Sequence, residues 1–188
     1  AYMSVCMANY WNVESDALQD LAICALLHDN ALTQYITEEV QKNPSIDIRD
    51  DSLNKKTNLH CIYGEKNIAK IPFKTNVSKV ILYHHEQADG RGPFRKVWQE
   101  TPLFARIIHL ADIIDAIANS AEFTQGKWDI CCEFLEKQKG RLFDDECVEA
   151  FFETISKETF ISFKDGTFES KLWEIVPRKK QIFDWNTC

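Results

Sequence analysis

Histidine is scarce in this chain, and the few histidines stand next to carboxylates or to each other. His28 precedes Asp29, His84 precedes His85, and His60 lies between these pairs in a helical pattern of its own. Imidazole and carboxylate groups together suit iron, manganese, zinc or nickel better than magnesium or calcium. Each pattern alone also has an ordinary explanation, such as a packed histidine or a pair at a helix end. Their combination makes them candidate metal ligands.

A further carboxylate, Asp112, directly follows the apolar segment 107–111 of a long helical pattern. A carboxylate buried on such a face needs a cation, a metal or a network of donors. Asp115 follows on the same face. The fifth histidine, His109, lies off this face, and we interpret it as structural or exposed. Asp112 therefore joins the candidate ligands, and His109 does not.

Helical periodicity positions these residues. Apolar residues that begin after Ser15 and Asp16 recur with helical spacing and lead directly into the pair at 28–29. The pattern that begins after Asn76, a predicted N-cap, continues in the same way through 84–85, so both histidines are expected on its buried face. Five further helices are predicted. Two of them are Thr33–Gln41 and a helix from near Thr57 that carries His60 and Gly64. The next is capped by Thr101-Pro102 and runs to about Ser120, and it is followed by Trp128–Lys137 and by a helix from Asp144 that turns Val148, Phe151, Phe152 and Ile155 inward.

Composition limits the class of protein. The 188 residues suit one domain, and 45% hydrophobic residues suffice for a core. The net charge of −7 disfavours binding to DNA or RNA, and no apolar run approaches the roughly 18 residues of a membrane span. Seven cysteines without a CxxC pair predict reduced thiols in a cytoplasmic protein. The chain opens in the middle of a helical pattern, which predicts a piece of a longer protein.

With one candidate pattern on each helix, the sequence predicts an all-α bundle whose inward side chains build a metal site. The candidates outnumber the ligands of one tetrahedral ion. Two ions bridged by a carboxylate account for all of them, and such sites typically serve phosphoester hydrolysis. The six candidate ligands are His28, Asp29, His60, His84, His85 and Asp112.

The order and spacing of these residues resemble the HD-GYP branch of the HD phosphohydrolase superfamily. The resemblance covers residues 1–152 of a single domain and leaves 153–188 as a C-terminal extension, in which Phe160 to Glu169 predicts a short hairpin around Asp165-Gly166. The motifs that carry it are Leu26-Leu27-His28-Asp29, His60-x-x-x-Gly64, His84-His85-Glu86-x-x-Asp89-Gly90-x-Gly92 and Arg106-Ile107-x-x-x-Ala111-Asp112-x-x-Asp115-Ala116.

The resemblance implies an HD-domain helical bundle with phosphodiesterase activity on a cyclic dinucleotide such as cyclic di-GMP. The six candidates would hold two divalent transition-metal ions, iron or manganese before zinc or nickel, and Asp29 would be the bridging, catalytic carboxylate. A hydroxide activated by both ions would attack phosphorus. Glu86 and Asp115 would fix either the tautomers of the imidazole ligands or contacts between the helices. The resemblance also allows for an upstream sensory domain and a homodimer.

The chain departs from the family in four places. The lysine of the family's His-Asp-Ile-Gly-Lys is Leu32, and Gly-Tyr-Pro becomes Gly92-Pro93-Phe94. Ala121-Glu122-Phe123 replaces the family's Arg-Pro-Tyr, and the family's upstream histidine would fall before Ala1. The loss of two cations weakens the prediction of substrate more than that of metal. Arg91, Arg95 and Lys96 are candidate replacements for binding substrate. The alternative is a degenerate, non-catalytic module that binds a nucleotide or a partner.

Overall fold

The computed structural model describes residues 1–42, 58–119 and 126–165, and the chain is helical there. The described residues contain no β-strand, only two isolated bridges, and none of their helices is long and apolar enough to cross a membrane. The predicted all-α class is confirmed. The α-helices are α1 (Tyr2–Ala8), α2 (Ser15–Leu27), α3 (Leu32–Lys42), α4 (Asn58–Ile68), α5 (Val77–Tyr83), α6 (Leu103–Asn119), α7 (Gly126–Gln138), α8 (Asp145–Thr154) and α9 (Lys157–Asp165).

Helix α6 is the centre of the bundle. From Leu103 to Ala111 every residue except Arg106 is buried, as expected of a helical segment enclosed on all sides. Helices α1, α5, α7 and α8 pack directly against it. Because α6 carries Asp112 near its middle, these contacts fix the position of that carboxylate along the bundle.

Helices α4 and α5 form the closest helix pair, and α2 and α3 pack beside them. Gly64 permits the approach: a Cβ there would lie 2.9 Å from Cγ2 of Ile81 and 3.1 Å from Nδ2 of Asn30. The Asn30 side chain donates to the Leu27 carbonyl and accepts from Asn67, which joins the turn after α2 to α4. The glycine therefore brings His60 close to the end of α5.

A buried carboxylate holds the start of α5. Oδ2 of Asp20 in α2 accepts hydrogen bonds from the backbone N–H of Lys74 (2.9 Å), from the N–H of Thr75 (2.8 Å) and from the Thr75 hydroxyl (3.0 Å). Asn76 then caps α5, as predicted, by accepting from the N–H of Lys79. Asp20 thus fixes the direction in which α5 leaves the loop.

Three sequence predictions of local structure are wrong. Residues 160–165, the first half of the predicted hairpin, belong to helix α9, and the second half lies outside the described residues. Phe152 is on the exposed side of α8, whereas Val148, Phe151 and Ile155 are buried as predicted. Thr101 does not cap α6; its hydroxyl donates to the Val97 carbonyl.

The end of α5 also differs from the prediction. The helix stops at Tyr83, so His84 and His85 follow it instead of continuing its buried face. Helix α2 stops at Leu27 in the same way, one residue before His28. The pattern continues beyond both helix ends because these residues still turn toward the bundle after the helical hydrogen bonds have ended: His84 is fully buried, and His28 and His85 are half-buried.

Candidate metal centre

His28 and His84 follow the ends of two helices, and each ring bonds back to its own helix. Nδ1 of His28 lies 3.0 Å from the Ala25 carbonyl, and Nδ1 of His84 lies 2.7 Å from the Ile81 carbonyl. A carbonyl oxygen only accepts, so both Nδ1 atoms carry the proton. In the neutral form of each ring Nε2 then presents a lone pair, which is the tautomer that a metal ligand requires.

The carboxylate of Asp29 lies between two groups of imidazoles. Its Oδ1 is 3.2 Å from Nε2 of His60 and 3.5 Å from Nε2 of His84. Its Oδ2 is 3.6 Å from Nε2 of His28. Each oxygen thus faces a different set of nitrogens, which is the arrangement of a carboxylate that bridges two cations.

Asp112 approaches the same cluster from α6. Its Oδ1 is 3.6 Å from Nε2 of His28. The prediction of a buried carboxylate is wrong, because the Asp112 side chain is 37% exposed, close to the 38% of Asp29. Both carboxylates therefore line the open side of the cluster, where a ligand from solvent can reach them.

The remaining histidines, His85 and His109, contact the rings of the cluster. The His85 ring is 4.0 Å from the His84 ring and 5.1 Å from the His60 ring, measured between centroids. Burial, with the nearby rings of His84, His60 and His109, lowers the pKa of His85 to about 2. His109 is also buried, which lowers its pKa to about 4. Of the two predicted alternatives for His109, structural or exposed, its burial agrees with the structural one. Both rings are therefore neutral at physiological pH.

At the centre of the cluster, charge interactions and burial have opposite effects on the pKa values of Asp29 and His28. Burial alone would raise the pKa of Asp29, but His60, His84 and His28 outweigh it and hold that pKa well below its ordinary value. Burial alone would lower the pKa of His28, but the Asp112 and Asp29 carboxylates outweigh it and raise the pKa. The cluster therefore holds its carboxylate ionised, as a bridging ligand requires.

Two atoms at the centre indicate that a cation fits there. Nε2 of His28 and Oδ1 of Asp29 are buried and have no hydrogen-bond partner among the described residues. Both are lone-pair donors, and a buried polar atom without a partner costs about 1–3 kcal/mol. A divalent ion would satisfy both at once, so the residues present fit the metals that the fold family implies.

Sequence reasoning missed Cys61. The buried sulphur of this α4 residue lies 3.5 Å from Nε2 of His60 and 3.9 Å from Nδ1 of His84. One donor atom each from His60, Cys61, His84 and His85 lies within 4.8 Å of the others. The sequence signal for this cysteine is its position next to His60, but the cysteines as a group are predicted only to be reduced thiols.

Glu86 holds the loop that follows the histidine pair. Its carboxylate accepts from the backbone N–H of Phe94 (2.7 Å) and of Lys96, and it is buried. A Cβ on Gly92 would lie 2.6 Å from Cα of Glu86, so only glycine fits there. The hydrogen bonds seen for Glu86 thus go to this loop, whereas the sequence predicted that it fixes a ligand tautomer or a contact between helices.

The predicted substrate-binding cations lie beside acidic residues of their own loop. Arg91 is 3.4 Å from Asp89, and Lys96 is 3.4 Å from Glu100. Neither lines the cavity of about 410 Å³ that opens beside His28 and Asp112. Asp115 does line it, and its carboxylate accepts from Asn119. The cavity wall also contains Tyr2 and Phe163, whose rings stack 6.4 Å apart.

The helical bundle and its histidine–aspartate cluster define a class of protein, and comparison with known families agrees. A family model described as "HD domain" matches residues 2–146. The chain belongs to the HD domain family and is of the HD-GYP type that its motifs predict.

Two curated relatives are cyclic dinucleotide phosphodiesterases. The chain is 40% identical over 74 residues to the cyclic di-GMP phosphodiesterase response regulator RpfG of Xanthomonas campestris, which covers 38% of this chain and 19% of that protein. It is 30% identical over 129 residues to the 3'3'-cGAMP-specific phosphodiesterase 3 of Vibrio cholerae, with 67% and 27% coverage. The chain therefore spans about a quarter or less of these relatives.

A solved structure shows the same fold. The crystal structure of a cyclic GMP-AMP-specific phosphodiesterase of V. cholerae superposes with a TM-score of 0.65. The superposition covers 93% of this chain and 48% of that chain at 18% identity. The HD-domain helical bundle is thus confirmed by structure as well as by sequence.

Proposed function

We propose that this domain is a metal-dependent phosphodiesterase that hydrolyses a cyclic dinucleotide. The observation that carries the proposal is the position of Asp29, whose two oxygens face the imidazoles of His60 and His84 on one side and of His28 on the other. The names of the two curated relatives support the substrate class. Which cyclic dinucleotide this chain prefers is left to the experiment below.

The ligands divide into two sets in this proposal. His28 and Asp112 would hold one ion, His60, His84 and His85 would hold the other, and Asp29 would join the two. Divalent ions bound there would polarise the phosphoryl oxygen and lower the pKa of a bound water. The protein's part is to direct Nε2 of His28 and of His84 toward the ions, through the contacts with Ala25 and Ile81, and to keep Asp29 ionised, as the contact with His60 helps to do.

The cavity beside His28 and Asp112 is the proposed entry for substrate. Its volume of about 410 Å³ falls in the range of small-molecule sites. The stacked rings of Tyr2 and Phe163 provide an apolar wall on which a nucleobase can stack. The phosphate would then lie toward the two carboxylates and would depend on the ions for its neutralisation.

A metal inventory coupled to turnover tests the proposal. Protein purified without chelator is analysed for bound metal and assayed with bis-p-nitrophenyl phosphate, cyclic di-GMP and 3'3'-cGAMP. The expected result is about two transition-metal ions per chain and hydrolysis that is lost in His28→Ala and Asp29→Ala. His109→Gln, a buried histidine outside the ligand set, is the control and should retain activity. Less than one ion per chain would refute the proposal.

One observation favours a second function, a module that binds a nucleotide without hydrolysing it. No lysine or arginine is among the described residues that line the cavity, whereas Asp112 and Asp115 both are. Leu32 also stands where the family has a lysine. Binding of cyclic di-GMP by the metal-loaded protein, without turnover and without loss of binding in Asp29→Ala, would support this function.

A further inference from the structure

We propose that Cys61 is a metal ligand and that its sulphur directs the deeper half of the site toward zinc. The inference rests on the proposed function, because it assumes that the histidine cluster binds metal. It concerns a residue that neither the sequence motifs nor the family resemblance assigns. Cys61 directly follows His60 on α4 and is fully buried, and its side chain points toward the imidazoles.

The distances within the cluster match those of a tetrahedral zinc site. Zinc binds nitrogen at about 2.0–2.1 Å and sulphur at about 2.3 Å, so its ligand atoms lie about 3.4 Å (N to N) and 3.6 Å (N to S) apart. Nε2 of His60 and Nε2 of His84 are 3.5 Å apart, and the Cys61 sulphur is 3.5 Å from Nε2 of His60. The sulphur approaches His84 at Nδ1 (3.9 Å), and the donor atoms of the cluster lie within 4.8 Å of one another, so one ion can contact all three residues once the Cys61 side chain adjusts toward Nε2 of His84.

A second observation points to a cation at this position. Oδ1 of Asp29 is a buried atom that meets no hydrogen-bond donor among the described residues, and it lies 3.2 Å from Nε2 of His60. His84 is fully buried, and its Nδ1 proton goes to the Ile81 carbonyl, so its Nε2 presents a lone pair to the same point. Lone pairs from two imidazoles and a carboxylate converge beside the sulphur.

The chemical consequence is a change of metal preference. A thiolate is a soft ligand that favours zinc, whereas histidine and carboxylate alone also accept iron or manganese. Binding releases the thiol proton to solvent, and the sulphur joins the donors of His60, His84, His85 and Asp29 that the proposed function assigns to this ion. Zinc is therefore expected ahead of the iron or manganese that the family resemblance puts first.

Cobalt substitution tests this directly, because a cobalt–thiolate bond produces a charge-transfer absorption that histidine and carboxylate ligands do not. The wild-type protein loaded with Co²⁺ should show this band, Cys61→Ser should lose it while still binding cobalt, and Cys132→Ser, with its cysteine on α7, should retain it. Circular dichroism melts establish that Cys61→Ser is folded; Cys61→Ala repeats the test with no donor atom.

The outcomes separate this inference from the proposed function. Stoichiometric cobalt without the band, or a band that persists in both Cys61 variants, overturns the role of Cys61 alone. Failure to bind cobalt at all overturns the proposed function and this inference with it. In competition between Zn²⁺ and Mn²⁺, Cys61→Ser should lower the preference for zinc by about tenfold or more; an unchanged ratio also overturns the inference.

Discussion

His28 and His84 occupy equivalent positions: each is the first residue after a helix, and each donates its Nδ1 proton to the carbonyl three residues earlier. The last carbonyls of a helix have no partner within the helix, so these rings satisfy groups that would otherwise need water. The same bond fixes the tautomer that points Nε2 toward Asp29. Helix termination and ligand orientation are thus achieved by one hydrogen bond in each case.

Substitution of single ligands should remove the two ions separately. His28→Ala and His60→Ala should each retain about one ion per chain, because each ring faces a different oxygen of Asp29. Asp29→Ala should lose both. The measurement is inductively coupled plasma mass spectrometry after exchange into metal-free buffer, with His109→Gln as the control that retains two. Equal losses in all four variants would show that the two-sided geometry does not govern binding.

Removal of metal should lower thermal stability. An ion present at one hundred times its dissociation constant stabilises the folded state by about 2.7 kcal/mol. For a chain of this size that corresponds to about 5 to 10 °C in Tm. Differential scanning calorimetry with and without chelator measures the shift. Asp29→Ala should show no shift, and an equal shift in that variant would place the stabilising ion elsewhere.

The carboxylate of Asp20 should be worth far more to stability than that of Asp16. Asp20→Ala leaves two backbone N–H groups and a hydroxyl of residues 74–75 without their partner and should cost about 3 kcal/mol. Asp16 in the same helix pairs with the amino group of Lys74 on the surface, so Asp16→Ala should cost less than about 1 kcal/mol. Urea unfolding compares the two, and similar midpoints would contradict the argument.

Neutralising Asp115 should strengthen the binding of an anionic nucleotide. This carboxylate lines the cavity beside His28, and its removal as Asp115→Asn should raise affinity for cyclic di-GMP about fivefold, or about 1 kcal/mol. The effect should shrink as salt is added. Isothermal titration calorimetry measures it, with the exposed Glu133→Gln on α7 as the charge-matched control. No change in affinity would argue that the ligand does not enter this cavity.

The sequence predicted the helices and the convergence of candidate side chains better than it predicted helix ends and exposure. His60, His84 and Asp29 come together as expected because hydrophobic periodicity identifies which face of each helix turns inward. That periodicity carries no information about where the backbone hydrogen bonds stop, so His84 was placed within α5. The half-exposure of Asp112 depends on the cavity beside α6, which no local pattern reveals.

Cys61 and Glu86 illustrate a second limit. A cysteine next to His60 has the same local sequence whether its sulphur meets the core or an imidazole, and only the packing of α4 against α5 decides. Glu86 was expected to fix a ligand tautomer or a contact between helices because it follows the histidine pair. Its bonds go instead to the backbone of residues 94 and 96, ten residues or fewer along the chain.

The contact between Gly92 and Glu86 limits which positions of the loop are free to vary. A side chain at 92 would collide with the backbone of Glu86 and Gln87. Position 94 is tied to the same glutamate in another way: Phe94 donates its backbone N–H to Glu86 and packs its ring against Tyr83. The family's Gly-Tyr-Pro would place at position 94 a proline, which has no backbone N–H, so the change to Gly92-Pro93-Phe94 gives the loop a hydrogen bond to Glu86 that the family's sequence could not make.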